Sequence, residues 1–252
     1  MSIVGISATL FVFAHQDDEI AFMPEIEKVI KGGNNAICVY LTNGEWKSVR
    51  SKTRNLESRR VLNILGVDDR YIFFIGDITG TKSGELPKKA KISIVELDKI
   101  FNKFNNIKRI VTFAYEGGHE DHDATFWICS ILMQKNKITE MSRCVPFYRS
   151  SNSRWLSYTV FDPISKNGEI EVYKIPLICR LKYFFLCLSY PSQFISIIGL
   201  LPFIIRQYLI RGEQYLQCVD HGVIHSVPYK SILYENRKRY TYRVFKEDLK
   251  KI

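Results

Sequence analysis

The sequence lacks several patterns that would assign it to a common class of protein. Its six cysteines form no CxxC pair, and most lie in apolar runs, as is typical of buried free thiols in a reducing compartment. No helix-turn-helix, finger or RNA-binding signature accompanies the basic residues, so we expect no nucleic-acid partner. There is no internal repeat or low-complexity tract. These absences favour a globular, cytoplasmic protein.

The N-terminus also lacks the basic residues that begin a signal peptide. Residues 1–14 contain no lysine or arginine, and their apolar run leads directly into an acidic cluster. Cleavage there would remove the most polar and histidine-rich part of the N-terminal region. We therefore predict a buried strand over residues 8–14 rather than a leader.

The 252 residues, 46% of them hydrophobic and 25% charged, are enough for one sizeable core. Apolar strands are predicted over residues 8–14, 37–42, 71–75 and 109–114. Helices are predicted between them over residues 19–31, 53–65, 90–104 and 123–134. This alternation predicts an α/β fold with a mostly parallel sheet, in which ligands bind outside the carboxyl ends of the strands. We expect one domain over residues 1–252, with its core over about 1–175 and an extension of apolar helices and a basic tail over 176–252.

The second half of the sequence is less regular. Residues 158–161 and 170–175 are predicted to be paired strands around a turn at 166–168. From Tyr183 to Ile205 no charged residue occurs, which is long enough to span a bilayer, but Pro191 and Pro202 interrupt the run. Three interpretations stay open: two core helices joined near Pro191, which we favour, an interfacial membrane element, or a true span.

Positive charge is concentrated at the C-terminus. The formal net charge is +10, and residues 228–252 contain eight basic against three acidic residues. A solvated basic element is the simplest interpretation, and the alternatives are a phosphate-bearing substrate or an anionic membrane surface.

Two short clusters combine histidine with carboxylates. Residues 14–19 read Ala-His-Gln-Asp-Asp-Glu after the first strand, and residues 119–122 read His-Glu-Asp-His after the fourth. The predicted fold places both at one edge of the sheet. Each cluster alone has a simpler explanation, since acids favour helix N-termini and His-x-x-His is a weak signal. Together they indicate a hydrolytic zinc site, which uses three protein ligands and leaves one position open.

The spacing within each cluster suggests a division of roles. His15 and Asp18 could bind one metal across a tight turn, which leaves Asp17 free to handle a proton. His119 and His122 lie on one face at a helix entry, so one could complete the metal site while the other meets the substrate. The chemistry implied is metal-assisted hydrolysis with stabilisation of a tetrahedral oxyanion.

These motifs resemble those of the LmbE-like, or PIG-L-like, N-acetylglucosaminyl deacetylases. The family's Ala-His-Pro-Asp-Asp-Glu is matched by Ala14-His15-Gln16-Asp17-Asp18-Glu19, and its His-x-Asp-His by His119-Glu120-Asp121-His122. Weaker similarities occur at 42–45, 54–67 and 192–193, so the resemblance covers roughly residues 8–195. Gln16 and Glu120 stand where the family has or favours proline, which would stiffen each turn.

The resemblance implies a Rossmann-like three-layer fold that binds one zinc ion, or another divalent metal in the cell. The implied metal ligands are His15, Asp18 and His122. Asp17 would be the general base and His119 the oxyanion-stabilising residue.

Two further residues are predicted to bind substrate, Arg54 by the resemblance and Glu120 by its charge near the metal. The other histidines, His221 and His225, match no motif and are interpreted as surface or packing residues.

The sequence therefore predicts a zinc-dependent hydrolase that removes the N-acetyl group from an N-acetylated amino sugar, giving acetate and a free amine. The basic tail and the apolar segment suggest a lipid-linked or anionic glycoconjugate and a location peripheral to the membrane. Two alternatives are an inactive sugar-binding family member and a peripheral membrane protein with a structural metal.

Overall fold

Strands and helices alternate through the first 145 residues, as the apolar pattern predicts. This computed structural model describes residues 7–45, 49–151, 153 and 155–251. The strands are β1 (Ala8–Phe13), β2 (Asn35–Tyr40), β3 (Ile72–Phe74), β4 (Ile107–Phe113), β5 (Arg143–Val145), β6 (Tyr148–Ser150), β7 (Tyr158–Val160), β8 (Ile170–Lys174) and β9 (Glu213–Cys218). The helices are α1 (Met23–Lys31), α2 (Ser51–Ile64), α3 (Ile75–Thr79), α4 (Leu86–Lys103), α5 (Glu120–Lys135), α6 (Leu177–Cys187), α7 (Phe194–Ile204), α8 (Leu233–Asn236) and α9 (Tyr242–Leu249).

The main sheet of the described residues has the strand order β3-β2-β1-β4-β5-β9-β8. The first five of these strands are parallel, and β9 and β8 are antiparallel additions at one edge. β1 lies in the middle, where Leu10 faces Ile37 on one side and Ile110 on the other. The predicted α/β fold with a mostly parallel sheet is therefore confirmed. The order 3-2-1-4-5 is that of Rossmann-like proteins.

The central strand is apolar throughout because helices cover both faces of the sheet. Phe11 and Phe13 face a core formed with α1, α2, α6 and α7. Leu10 and Val12 face a second core formed with α4, α5 and α9. Two helical layers thus enclose the sheet, and the carboxyl ends of β1 and β4 open at the same edge.

The predicted hairpin in the second half is wrong. Both strands exist, but β7 pairs with β6 in a separate two-stranded sheet, whereas β8 pairs with β9 in the main sheet. Alternating side chains identify a strand but not its partner, and the partner of β8 lies about 40 residues further along the chain.

The apolar segment forms the two predicted helices. α6 and α7 are separated by a 3-10 turn at Pro191–Gln193, and α7 continues into a π-helical stretch, Ile205–Arg211. Within the described residues, Pro191–Arg211 is the one helical stretch long and apolar enough to cross a membrane by length and composition, and 28% of its most apolar window is buried. The inner faces of α6 and α7 pack against the core, whereas their outer faces are exposed to solvent. The prediction of two core helices is therefore confirmed only for the inner faces.

The predictions for the cysteines and the two unmatched histidines agree with the structure. All six cysteines are free, and Cys218 is the one that is not fully buried. The ring of His221 lies between the hydroxyls of Ser130 and Thr139, at 2.5 and 2.7 Å, and His225 is exposed. These histidines have packing and surface positions.

Candidate metal centre and substrate cavity

The loop after β1 folds into a tight turn that brings His15 and Asp18 together. Asp17 has a φ of 101°, in the left-handed region, which reverses the chain before a short 3-10 turn at Asp18–Ala21. One carboxylate oxygen of Asp18, Oδ2, accepts a hydrogen bond from the backbone N–H of His15 at 2.6 Å and lies 3.5 Å from its Nδ1. The predicted long helix from Glu19 therefore begins only at Met23, because this turn occupies the first residues.

His122 reaches the same point from the first turn of α5. Its Nε2 lies 3.1 Å from Oδ1 of Asp18, and its ring stacks on Phe113 with centroids 4.1 Å apart. The potential ligand atoms of His15, Asp18 and His122 all lie within 4.8 Å of one another, and all three residues are buried. Two imidazoles and a carboxylate are a donor set that suits zinc and related divalent metals.

Asp121 orients His15, and sequence reasoning did not include it among the site residues. Its Oδ2 lies 2.8 Å from Nε2 of His15. The same carboxylate accepts hydrogen bonds from the backbone N–H groups of Gly84 at 2.6 Å and Leu86 at 3.1 Å. Asp121, His15 and His119 also form a possible ligand group by distance. Because the Asp121 carboxylate already has three partners, we assign it the role of holding His15 so that Nδ1 faces Asp18.

The ionisable groups of this cluster shift one another's pKa values in opposite directions. Burial alone would lower the pKa of His15, but its hydrogen bonds with Asp121 and Asp18 outweigh burial and raise this pKa to about 10. Burial would raise the pKa of Asp18, but His122 and His15 outweigh it and lower this pKa strongly. Burial lowers the pKa of His122, which therefore presents a neutral ring. A bound divalent cation would have to displace the proton of His15, whereas the carboxylate of Asp18 and the ring of His122 are already in the form that binds a metal.

Above this cluster lies a cavity, and Asp17 is the carboxylate of the first motif that stays accessible from it. Its side chain is 17% exposed, and its Oδ1 accepts a hydrogen bond from Nη2 of Arg54 at 2.9 Å. Arg54 is itself fixed, because its guanidinium also donates to the carbonyl oxygens of Gly44, at 2.6 Å, and of Gln16. Burial raises the pKa of Asp17 to about 6, against the opposing effect of Arg54. Arg54 thus orients Asp17 as well as lining the cavity, and its predicted contact with substrate stays a prediction.

His119 lies on the opposite side of the cluster, at the N-cap of α5. Its Nδ1 accepts from the backbone N–H of Asp121 at 3.1 Å, and its Nε2 lies 2.8 Å from Nη1 of Arg239. Burial, followed by the charges of His15, His122 and Arg239, lowers its pKa well below the usual value. With Nδ1 accepting from Asp121, the proton of the neutral ring lies on Nε2, and because a guanidinium only donates, the close approach of Arg239 is a contact between two donors that obstructs Nε2.

Glu120 lies close to this group but not in the cavity wall. It is buried, with Oε2 3.4 Å from Nδ1 of His119. Burial, with the neighbouring charge of Asp121, raises its pKa to about 7. Glu120 does not line the cavity above the cluster, so its predicted contact with substrate stays a prediction.

A cavity of about 300 Å³ lies above the cluster. Its floor, as we use the term, consists of the polar residues His15, Asp17, Asp18, Arg54, His119 and His122. Aromatic side chains form part of its wall, namely Phe147, Tyr148 and Tyr158. All of the sequence-predicted catalytic and metal-binding residues thus meet on one surface.

The rim of the cavity comes from the C-terminal 60 residues. We define it as Gln193, Ile195, Ser196, Gly199, Leu200, Arg237 and Arg239. The turn before α7 is fastened to α2, because Glu57 accepts hydrogen bonds from the backbone N–H and the hydroxyl of Ser192, at 2.9 and 2.5 Å. Sequence reasoning noted the Ser192-Gln193 pair only as a weak similarity, and no local pattern pointed to the two arginines as cavity residues.

Fold and cluster together define an α/β protein with a candidate hydrolytic metal centre at the carboxyl edge of a parallel sheet. The family is more specific. Residues 10–131 match the PIG-L family, described as GlcNAc-PI de-N-acetylase, and this segment contains both motifs. This match covers just under half of the chain, and it confirms the predicted resemblance to the family and the predicted class of enzyme, an N-deacetylase.

Solved structures share the fold. A deacetylase from the biosynthesis pathway of teicoplanin is 15% identical with a TM-score of 0.59, and the match covers 85% of this chain and 100% of that chain. The N,N'-diacetylchitobiose deacetylase from Pyrococcus horikoshii is 15% identical with a TM-score of 0.57, covering 90% and 88%. A conserved protein from Thermus thermophilus is 18% identical with a TM-score of 0.54, covering 88% and 98%. No curated protein matches the sequence.

Proposed function

We propose that the protein is a zinc-dependent N-deacetylase that releases acetate from an N-acetylated amino sugar of the GlcNAc type, carried on a lipid-linked or anionic glycoconjugate. The observation that supports this most directly is the convergence of His15, Asp18 and His122 beneath the cavity, with the open carboxylate of Asp17 beside them. The name of the matching family and the names of the solved deacetylases agree in the bond that is broken.

The metal would be held by Nδ1 of His15, the carboxylate of Asp18 and Nε2 of His122. When bound, a divalent metal supplies Lewis acidity, which activates a water molecule as nucleophile and polarises the amide carbonyl. Three protein ligands leave room for both, whereas a structural zinc site is normally closed by four. This ligand count favours an enzyme over a protein with a structural metal.

Asp17 would handle the proton. Its carboxylate would accept a proton from the attacking water as the new C–O bond forms. It would then return that proton to the nitrogen as the amide C–N bond breaks, so that acetate and a free amine leave. Arg54 holds Oδ1 of Asp17 at 2.9 Å and so fixes the direction in which the carboxylate faces the cavity.

His119 and Arg239 would lie on the side of the scissile amide opposite Asp17. The oxyanion of the tetrahedral intermediate would attract the guanidinium of Arg239 away from Nε2 of His119, after which both groups could donate to it. Arg237 and Arg239 at the rim also favour a substrate with a phosphate or another anionic group.

The decisive experiment is acetate release from a panel of N-acetylglucosamine conjugates, both soluble and lipid-linked. Wild-type protein is compared with Asp17→Asn and with a matched surface control, Asp98→Asn. Zinc is supplied at one equivalent, because one related structure is described as a zinc-inhibited form. We expect release by wild type and the control, and a loss of roughly 10²–10⁴-fold in Asp17→Asn. Absence of release from every conjugate, with one zinc bound per chain, would instead indicate a sugar-binding protein.

A further inference from the structure

Helix α6 is apolar on two opposite faces. Cys179, Tyr183, Leu186 and Cys187 lie on the inner face and are buried. The outer face is equally apolar but open to solvent, with exposed fractions of 67% for Leu177, 76% for Ile178, 43% for Leu181 and 63% for Phe185, and Leu188, the C-cap of the helix, is 48% exposed. A surface helix of a globular protein normally has polar residues on its outer face. The second apolar face of α6 is therefore unexplained by the core.

Helix α7 has the same character and packs against α6. Ile197 and Ile204 are buried, whereas Phe194 is 64%, Ile195 87% and Ile198 52% exposed. The π-helical stretch that follows adds Ile210, which is 71% exposed. We call the exposed apolar residues of both helices the α6–α7 face: Leu177, Ile178, Leu181, Phe185, Leu188, Phe194, Ile195, Ile198 and Ile210. Single exposed apolar residues are common, but a group on adjoining helices marks an interaction site.

The charges around this face are positive. Residues 175–212 contain no aspartate or glutamate and four cationic residues, Arg180, Lys182, Arg206 and Arg211. At about 100° per residue, Arg180 and Lys182 flank the outer stripe of α6 on its two sides. Acidic partners come from outside the segment: Glu27 contacts Lys182, and Asp162 contacts Arg206 and Arg211. Apolar stripes bordered by long cationic side chains are typical of helices that lie at an anionic membrane surface.

The α6–α7 face adjoins the rim of the cavity. Ile195 belongs to both, and Leu200 on the same helix lines the cavity. The two-stranded sheet of β6 and β7 is joined to α7 through Tyr158, whose hydroxyl donates to the carbonyl of Gly199 at 2.7 Å. Three residues before Tyr158 lies Trp155, which is 89% exposed. Tryptophan is enriched at membrane–water interfaces, where its ring lies among the headgroups.

The two helices are held on the protein by buried polar contacts, which exclude a transmembrane position in this fold. The hydroxyl of Tyr208 donates to the carbonyl of Ile20 at 2.5 Å, within the loop that contains the metal ligands. Tyr183 donates to Glu27 of α1, and Ser192 donates to Glu57 of α2. Insertion of Pro191–Arg211 across a bilayer would break these contacts, so a membrane could receive only the outer face.

We propose that the α6–α7 face docks in the plane of an anionic phospholipid bilayer and so presents the rim of the cavity to substrate at the membrane surface. The role of docking in substrate delivery rests on the proposed function, whereas docking itself does not. Charge favours a bilayer over a second copy of this chain, because the four cationic residues of this segment outnumber their two acidic partners, Glu27 and Asp162, so two copies repel one another whereas anionic headgroups attract the segment.

The test is co-sedimentation of the intact, zinc-loaded protein with vesicles of phosphatidylcholine alone or with 30% phosphatidylglycerol, a composition of about a third anionic lipid. The test variant is Ile178→Glu/Phe185→Glu on the α6–α7 face, at residues outside the cavity lining. The matched control is Ile78→Glu/Val95→Glu, at residues that are 73% and 50% exposed on α3 and α4. Both variants are checked for folding by near-ultraviolet circular dichroism and by hydrolysis of a soluble substrate.

We expect wild type and control to bind the anionic vesicles at least about tenfold more tightly than the α6–α7 variant, with binding weakened by salt. Equal binding of variant and wild type, or no binding of wild type, would overturn the proposal. A dimer in vesicle-free solution that the variant abolishes, together with absent vesicle binding, would assign the face to a second copy. Vesicle binding without acetate release from any conjugate would contradict the proposed function while leaving docking supported.

Discussion

The floor and the rim of the cavity differ in almost every physical property. On the floor, His15, Asp18 and His122 are 7%, 3% and 2% exposed, and each is held by short polar contacts to the others or to Asp121. At the rim, Ile195 is 87% exposed, and two arginines take the place of carboxylates. The floor holds its ionisable groups away from water, whereas the rim exposes apolar and cationic side chains that can contact a molecule outside the protein. Substitutions in the floor should therefore alter chemistry and metal binding, and those in the rim should alter recognition.

The largest effect expected is from removal of a metal ligand on the floor. In His122→Ala the ring that faces Asp18 is lost, so we expect a protein that no longer retains zinc and loses activity by roughly 10³-fold or more, a barrier increase of about 4 kcal/mol. Metal content after dialysis and acetate release measure the two effects. His221→Ala is the matched control, because its ring contacts the hydroxyls of Ser130 and Thr139, which do not line the cavity. Full zinc retention by His122→Ala would remove this residue from the ligand set.

A smaller effect is expected from Asp121→Asn, which changes the support of the floor but not a proposed ligand. Asparagine has one acceptor oxygen where aspartate has two, so the ring of His15 is held less firmly in its orientation. Groups that orient a metal-binding histidine typically contribute 10–100-fold in metal affinity. We expect a weakening in this range in a zinc competition titration, with Asp98→Asn unchanged. An unaltered zinc affinity would show that the backbone N–H contacts alone hold this loop.

At the rim, Arg239→Ala should separate recognition from metal binding. It removes a guanidinium that lies 2.8 Å from Nε2 of His119, while the metal ligands stay in place. We expect kcat/KM for an anionic substrate to fall about tenfold, equivalent to about 1.4 kcal/mol, with no loss of zinc. Arg243→Ala, at a residue on the exposed face of α9, is the control. A greater kcat/KM in Arg239→Ala would instead identify Arg239 as a group that obstructs His119.

Tyr208→Phe tests the contact that joins the two regions. It leaves the carbonyl of Ile20 without its hydroxyl partner in a buried setting, which costs about 1–3 kcal/mol. Thermal unfolding should show a Tm lower by about 2–12 °C in a protein of this size. Tyr71→Phe provides a control at the same type of residue, since its ring packs on Phe104 and is retained in the variant. If the Tm does not change, the helices near the rim are not anchored through this contact.

The smallest effect expected concerns Glu27, which joins α1 to α6. Burial would raise its pKa, but hydrogen bonds from Lys182, Tyr183 and Lys31 outweigh burial and lower it. A lowered pKa means that this stabilisation is fully present above the pKa of the unfolded chain, about 4.3, and is lost as pH falls through the lower pKa of the folded protein. Glu27→Gln should therefore be less stable than wild type by up to about 1 kcal/mol at pH 7 and equally stable near pH 2–3. Urea unfolding at several pH values measures the difference, and a gap that widens in acid would contradict this account.

The contrast between floor and rim also explains what could be predicted from the sequence. His15, Asp17, Asp18, His119 and His122 lie in two short motifs, each of which follows an apolar strand. Because a parallel sheet brings the carboxyl ends of its strands to one edge, the two motifs could be placed together without any coordinates. The partner of β8 and the position of the C-terminal arginines could not, because both depend on contacts between segments far apart in the chain.

The α/β alternation, the parallel core, the two motifs and the unusually apolar segment 183–205 follow from the sequence alone. Local spacing and hydrophobic periodicity carry that information. Other features depend on the folded chain: Asp121 orients His15, Arg54 holds Asp17, Arg239 faces His119, and the apolar helices contribute to the rim with one face turned outward. These features arise from packing between elements up to 188 residues apart, as in the contact between Tyr208 and Ile20, and no local pattern encodes such a distance.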